Sequence, residues 1–405
     1  MIQEQNTVAD LFQQITNFPS TKSGQNRLVY SAAWLKGQEL LIKFALQANL
    51  QVAVDDYGSV YLDLVGTQAD QVIATGSHMD TVKNGGRLDG LYGVLGGLQA
   101  ILDLQQKYGQ PVKTLRLISF CEEEGSRFNA TFSGSKHYTG VSETTDLVDD
   151  YGIRIEEARA QAVTKLQQLS GVIRKLPQLP ESFTELHIEQ GMRLEKQGLS
   201  LGLVSGITGQ RRYQLLVTGI TNHAGTTLMS ERHDALLNAI QLISRLQQLA
   251  QAVNPNLTFT IGSFAVWPNT SNVIPGKVEF SLDCRYPDEQ VLNIFEKLMR
   301  NAATEIADPE IKVRIENWVH DQPVILDQKL LAANQRLAQK MGYQTMTMVS
   351  GAGHDSAIMS QRVPTTMIFV PSIKGISHAP AEATKKEDLA RGVRFLAAAL
   401  HREAY

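Results

Sequence analysis

Hydrophobic and polar positions change rhythm along this chain. Roughly the first 50 residues read as helical. In the clearest stretch, Ser31 to Asn49, Leu35, Leu40, Leu41, Phe44 and Ala45 lie on one face and Ser31 stands as N-cap. From residue 71 short apolar runs alternate with helical ones. Val72-Ile73-Ala74-Thr75 reads as a buried strand, followed by a glycine-rich turn and a helical stretch from about Tyr92 to Tyr108. Leu115 to Phe120 and Thr365 to Val370 are further strands. Strands spaced by helices predict an α/β fold, a mostly parallel sheet with helices on both faces.

The stretch from Tyr213 to Leu326 reads differently. Tyr213 to Thr218, Leu257 to Val266, Lys277 to Tyr286 and Ile311 to Glu316 are expected strands. Asp234 to Val253 and Asp288 to Ile306 are expected helices, the first with Leu237, Ile240, Ile243, Leu246 and Leu249 in one buried stripe. The order β-α-β-β-α-β predicts a ferredoxin-like module that interrupts the α/β domain. The expected division is 1–212, 213–326 and 327–405, with no internal repeat.

Composition narrows the function classes. The 405 residues carry 38 Lys+Arg against 41 Asp+Glu, a formal charge of −3, with no basic tract. Such a chain lacks the electrostatic footprint of a nucleic-acid or anionic-membrane binder. Two cysteines, Cys121 and Cys284, cannot build a disulfide framework. Residues Met1 to Asn6 have neither a basic nor an apolar leader region, and no apolar run is long enough to cross a bilayer. The expected compartment is the cytoplasm.

Polar clusters follow the predicted strands: Gly76-Ser77-His78-Met79-Asp80-Thr81 with Gly85-Gly86-Arg87-Leu88-Asp89-Gly90, then Cys121-Glu122-Glu123-Glu124-Gly125, Leu186-His187-Ile188-Glu189-Gln190-Gly191, and Gly375-Ile376-Ser377-His378. In open α/β sheets reactive groups gather beyond the carboxyl ends of strands. Imidazole and carboxylate together suit zinc, manganese or cobalt. If Asp89 bridges two ions, His78 and His187 could complete one set and Glu124 with His378 the other. Glu123 would then be free to take a proton, and Asp80 could orient His78. Spacing alone does not separate one metal from two. The glycines at 90, 93, 96 and 97 do not form G-x-G-x-x-G and no Walker lysine follows, so close helix packing explains them better than a nucleotide loop. A nucleophilic Cys121 is disfavoured because three adjacent glutamates would raise its pKa.

In this order the clusters resemble the di-metal amidohydrolases that include aminoacylases, carboxypeptidase G-type peptidases and N-carbamoyl amino acid hydrolases. The resemblance spans nearly the whole chain. It implies that Asp89 bridges two divalent ions (zinc or manganese), that His78, His187, Glu124 and His378 complete the ligands, and that Glu123 is the general base with Asp80 behind His78. Glu185-Leu186-His187-Ile188-Glu189-Gln190-Gly191, Gly209-Gln210-Arg211-Arg212-Tyr213, Asn222-His223-Ala224-Gly225-Thr226-Thr227 and Ser271-Asn272-Val273-Ile274-Pro275-Gly276 are similar to the ureido-cleaving branch. That branch holds allantoate amidohydrolases, β-ureidopropionases and N-carbamoyl-L-amino acid hydrolases. The runs Lys83 to Gly90 and Cys121 to Phe128 most resemble the allantoate enzymes. One departure is Leu228, where the family commonly has proline.

The resemblance further implies that the inserted module is a lid and dimerisation domain. His223 would help stabilise the tetrahedral intermediate, and Gln190, Asn272 and Arg212 would read a small ureido substrate. Alternation puts Glu279, Ser281, Asp283 and Arg285 on one strand face, so alone it pairs Arg285 with Asp283. The resemblance assigns Arg285 instead to the substrate carboxylate. His354 is expected behind the site or as a helix cap. The expected assembly is a homodimer. The activity expected first is hydrolysis of allantoate to ureidoglycine, ammonia and carbon dioxide, with N-carbamoyl-L-amino acids or N-carbamoyl-β-alanine as alternative substrates. A metal-bearing protein that binds a ureido ligand without cleaving it is the non-enzyme alternative.

Overall fold

The computed structural model describes residues 7–17, 24–141, 146–306 and 308–405. Of the helical expectation for the amino-terminal stretch, 1–6 and 18–23 lie outside the described residues. The chain divides into two compact units, Met1–Ser205 with Leu326–Tyr405, and Gly206–Ile325.

Four parallel strands form the centre of the first unit, in spatial order Thr365–Val370, Ser182–Ile188, Gln68–His78 and Lys113–Phe120. Antiparallel strands flank them, Leu201–Ile207 on one side and Val60–Leu64 on the other, and Gln51–Val54, antiparallel to Val60–Leu64, returns to the direction of the centre. Ser182–Ile188 is buried throughout, as is the second half of Gln68–His78, which is why these strands read as continuous rather than alternating runs. The ladder carries Gln68–His78 past the expected Thr75, because Gly76, Ser77 and His78 pair with Ile118, Ser119 and Phe120. One apolar cluster joins helices Leu91–Tyr108 and Lys386–Ala404 to the sheet through Leu98, Ile101, Leu115, Ile368, Phe395 and Leu396. A second gathers Ala74, Ile118, Phe120 and Phe183 with Tyr138 and Met359 of two short helices. The mostly parallel, helix-covered sheet is the fold that the hydrophobic pattern predicted. The glycines of helix Leu91–Tyr108 serve close approach: a Cβ on Gly93 would stand 2.3 Å from the Leu186 carbonyl oxygen.

Helix Ala32–Gln47 begins where expected, with Ser31 Oγ accepting from Trp34 N–H at 3.3 Å. Its buried face is Trp34, Gly37, Gln38, Leu41, Ile42 and Ala45, whereas Leu35, Leu40 and Phe44 are only partly covered. The helix turns its glycine inward: a Cβ on Gly37 would meet Met79 Sδ at 2.7 Å.

The main sheet of the second unit is antiparallel, in the order Lys312–Asp321, Gly209–Thr218, Lys277–Tyr286, with Thr258–Thr260 and Phe264–Trp267 sharing the outer position, and a two-stranded sheet pairs Asn222–His223 with Val273–Ile274. With helices Ala235–Val253 and Glu289–Thr304 this is the βαββαβ order. The single strand expected from Leu257 to Val266 is two, because Ser263 N–H donates to Ser281 Oγ at 2.9 Å instead of to a backbone carbonyl. The first strand starts at Gly209, earlier than expected, since Arg211 continues the buried alternation by donating to the Asp321 carbonyl at 2.6 Å. The stripe on Ala235–Val253 also differs. Ala235, Ala239, Leu242, Leu246 and Ala250 are buried, while Leu237 and Ile240 are 45% and 52% exposed. Alanines bring the helix axis close to the sheet and turn the branched residues outward. Among the described residues no helix is long and apolar enough to cross a membrane.

Candidate metal centre

Parallel strands bring their carboxyl ends to one edge, and here each end delivers part of one polar cluster. His78 is the last residue of its strand, Glu123 and Glu124 follow Phe120, His187 is the penultimate residue of Ser182–Ile188, and His378 lies beyond Val370. Asp89 sits just before helix Leu91–Tyr108 and is buried among them. Its Oδ1 lies 3.2 Å from His187 Nε2 and 3.7 Å from His78 Nε2, and its Oδ2 lies 3.1 Å from His378 Nε2. Glu124 Oε2 is 3.6 Å from His378 Nε2 and Glu123 Oε2 is 3.7 Å from His78 Nε2. Two donor groups, His78–Asp89–His187 and Asp89–Glu124–His378, thus share Asp89, each with ligand atoms within 4.8 Å of one another. His78–Glu123–Glu124 and Glu185–His187–His354 meet the same limit.

The imidazoles are oriented from behind. His78 Nδ1 is 3.1 Å from the Asp80 carbonyl oxygen, and His187 Nδ1 is 2.9 Å from that of Ile188. Carbonyls accept, so each Nδ1 carries the proton and each Nε2 keeps its lone pair, which in His187 faces the Gly90 N–H at 3.1 Å as well as Asp89. Asp80 acts on His78 mainly through its main chain, since its nearer carboxylate oxygen is 3.6 Å away. Its Oδ2 instead accepts from Glu124 N–H at 3.1 Å, tying the two ligand-bearing loops together.

So many buried acids strain one another. Burial first, then Asp89, pushes Glu124 up to about 7. Burial, with Glu124, Asp355 and Asp80 against the opposing pull of His78, holds Glu123 well above the usual carboxylate range. The hydrogen bond to Asp89 raises His378 to about 9. Glu124 Oε1 and Asp80 Oδ1 are buried with no hydrogen-bond partner among the described residues. A surplus of acid, three imidazoles with their Nε2 atoms turned inward and unpartnered carboxylate oxygens make a donor set that fits divalent zinc or manganese.

Gln190, in a left-handed backbone conformation (φ +56°), donates from Nε2 to Asp89 Oδ2 at 2.8 Å. The other expected substrate contacts belong to the inserted unit. There His223 and Asn272 are neighbours: Val273 pairs with His223, and Ala224 N–H donates to the Asn272 carbonyl at 3.0 Å. His223 Nδ1 accepts from Gly225 N–H at 3.0 Å and Thr226 N–H at 3.2 Å, which leaves its ring proton on Nε2. Cross-strand register sets Arg212 opposite Asp283 and Gln210 opposite Arg285. Asp283 accepts from Arg285 Nε at 2.9 Å, Arg212 Nε at 3.0 Å and Gln210 Nε2 at 2.9 Å. The pairing that alternation suggested for Arg285 is therefore present. Burial would raise Asp283, but the two guanidinium groups hold it below the usual carboxylate range.

Residues 74–402 match the family model described as peptidase family M20/M25/M40. The chain belongs to that family. It is 39% identical to the allantoate amidohydrolase of Escherichia coli strain K12, covering 94% of this chain and 93% of that one. It is 40% identical to the allantoate amidohydrolase of Bacillus subtilis strain 168, covering 99% and 98%. The crystal structure of a hydantoinase/carbamoylase family amidase from Burkholderia multivorans superposes with a TM-score of 0.88 at 33% identity, covering 99% of this chain and 98% of that one.

For an M20/M25/M40 chain, the groups that escaped the reading of spacing lie one layer behind the donors. Glu185 is fully buried and accepts from Ser77 Oγ at 2.7 Å and Ser356 Oγ at 2.6 Å. It shares a strand face with His187 two residues on, so alternation could have revealed it. Asp355 accepts from Ser135 Oγ at 2.6 Å, and its Oδ2 is buried without a hydrogen-bond partner among the described residues. His354, expected behind the site or as a helix cap, stands edge-on to His187 with ring centroids 4.7 Å apart and bonds Ser350 Oγ at 2.9 Å; it occupies the N-cap position of Asp355–Met359 without a side-chain capping bond. Cys121 is fully buried beside Ser59 and Tyr30, and burial followed by Asp55, rather than the glutamates, pushes its thiol up. That excludes it as a nucleophile.

Proposed function

We propose that this chain hydrolyses the ureido C–N bond of allantoate, giving ureidoglycine, ammonia and carbon dioxide, with two divalent ions held by His78, Asp89, Glu124, His187 and His378. The observation that carries the reading is Asp89: one oxygen faces His78 and His187 and the other faces His378. A single carboxylate presenting a separate face to each donor pair is what a shared ligand requires. When bound, such ions supply Lewis acidity and bring the deprotonation of water near neutral pH.

The remaining chemistry belongs to the side chains. Two nitrogens donate into a ureido carbonyl, so attack needs both an activated nucleophile and help for the oxygen that gains charge. Glu123, buried and above the normal carboxylate range, takes the proton of the attacking water and returns it to the departing nitrogen. The Nε2 proton of His223 is donated to the developing oxyanion. Gln190, with Oε1 unpartnered among the described residues, and Asn272 bind the ureido end. Arg285 and Arg212 bind the substrate carboxylate, which must compete with Asp283 for them. The inserted unit closes as a lid and joins two copies into a homodimer. Supporting that, its outer strand exposes Phe264 and Trp267, at 43% and 42%. Two buried free cysteines support a cytoplasmic setting.

Ammonia release from a panel of allantoate, N-carbamoyl-L-amino acids and N-carbamoyl-β-alanine, with manganese or zinc supplied, tests the proposal. Turnover of an N-carbamoyl amino acid without turnover of allantoate would replace the substrate. Binding of allantoate with no ammonia release by wild type or by Glu123→Gln would favour the ligand-binding alternative.

A further inference from the structure

Glu382 belongs to none of the donor groups, yet it is only 6% exposed and the hydrogen bonds of its carboxylate lead to the segments that carry them. Its Oε1 accepts from Leu88 N–H at 2.8 Å and from Asp89 N–H at 3.0 Å. Its Oε2 accepts from Ser377 Oγ at 2.8 Å, and the same hydroxyl oxygen lies 3.0 Å from Asp89 Oδ2. Ser377 is the residue immediately before His378. One carboxylate therefore grips both the backbone that carries Asp89 and the loop that carries His378, segments almost three hundred residues apart in sequence. The approach is tight: a Cβ on Gly86 would stand 2.1 Å from the Glu382 carboxyl carbon, so the Asp89 loop can reach this acid only with glycine at 86.

Burying a carboxylate beside Asp89 costs stability, and apolar packing would avoid that cost. A compensating role is expected of it. We infer that Glu382 is a positioning residue that fixes Asp89 and His378 in mutual register by clamping the amides of residues 88–89 and the Ser377 hydroxyl. The inference rests on the metal-centre part of the proposed function and not on the substrate. Outer partners that orient ligands are worth about 10–100-fold in metal affinity.

The test is equilibrium binding of Mn²⁺ or Zn²⁺ to the full chain, by competition with a chromophoric chelator, for wild type, Glu382→Ala, Glu382→Gln and Ser377→Ala. Metal per chain is counted by elemental analysis, and melting is followed with and without EDTA. Glu382→Ala is expected to weaken binding about 10–100-fold and to shrink the metal-induced rise in melting temperature. Glu382→Gln keeps an oxygen acceptor for the two amides and should stay within about threefold of wild type. Ser377→Ala, which removes the hydroxyl placed between Glu382 and Asp89 but leaves the two amides clamped, should fall between them. A purely structural role would lower the melting temperature equally with and without metal. Wild-type affinity in Glu382→Ala, or Glu382→Gln as weak as alanine, would overturn the inference. Should Glu382→Ala fail to fold, wild-type affinity in Ser377→Ala would overturn it. Because ions are the only ligands, failure to turn over allantoate leaves this result unaffected.

Discussion

His223→Ala separates the chemical from the structural use of one side chain. The imidazole is exposed, and its Nδ1 accepts from the N–H groups of Gly225 and Thr226. Removing the ring leaves two donors that water can solvate, so the stability cost should stay near 0.5 kcal/mol, roughly the size of an ordinary surface substitution. On the proposed reaction the ring also presents Nε2–H to the oxygen that gains charge. Losing one such donor costs about 10²–10³ in kcat, roughly 3–4 kcal/mol of transition-state stabilisation. That contact strengthens only as charge develops, so KM should change little. Steady-state ammonia release, paired with a melting curve of the same sample, reads both numbers. A kcat within threefold of wild type, or a loss residing wholly in KM, would refute the oxyanion role. His223→Gln, which can still present an N–H, should recover part of the loss.

Glu123→Gln keeps the shape but cannot accept a proton; kcat should fall about 10²–10⁴-fold with metal content unchanged, measured by kinetics and elemental analysis. Removing divalent ions with EDTA should abolish ammonia release, and manganese or zinc should restore it. Reloading to 100 times the dissociation constant should add about 2.7 kcal/mol of stability in a urea titration. A third measurement concerns Asp55, which burial raises to about 6 although Tyr57, Gly58 and Ser59 N–H and the Tyr61 hydroxyl all donate to it. A raised carboxyl contributes stability that is complete below the unfolded pKa near 4 and is lost as pH rises through 6. Relative to Asp55→Asn, the wild type should therefore lose about 2 kcal/mol between pH 4 and 7 in urea unfolding.

The sheet was legible because burial on both faces writes itself as unbroken apolar runs, and because parallel strands put their carboxyl ends on one side. That geometry alone gathers His78, Glu123, Glu124, His187 and His378, whose sequence separations suggest nothing. Which oxygen faces which imidazole is invisible in sequence, as are Glu382 and the partners of Glu185, although alternation does put Glu185 on the face of His187. Each of these two acids makes its decisive contact across a long stretch of chain, to Asp89 N–H and to Ser356 Oγ, and no spacing in the sequence announces those partners. Helix faces failed for a related reason. Counting branched residues favoured Leu237 and Ile240, but close packing selected Ala235, Ala239 and Ala250. The break at Ser263 depends on one hydroxyl from the neighbouring strand, a side-chain contact that alternation cannot express.

The site also explains why this region is rich in serine. Asp80, Asp89, Glu122, Glu123, Glu185, Asp355 and Glu382 are all buried in the unit that holds the donors. Apolar residues of similar volume would make that unit more stable, since each buried charge is costly unless it is paired. The compensation is local: Ser77 and Ser356 for Glu185, Ser135 for Asp355 and Ser377 for Glu382. Hydroxyls suit this task because they donate without adding charge that would compete with a cation for the acids in front. Arginines in their place would neutralise the same carboxylates and also cancel the negative field that attracts a divalent ion. The arrangement keeps the back of the cluster satisfied and its front electronegative, which favours binding a cation over maximal stability of the fold.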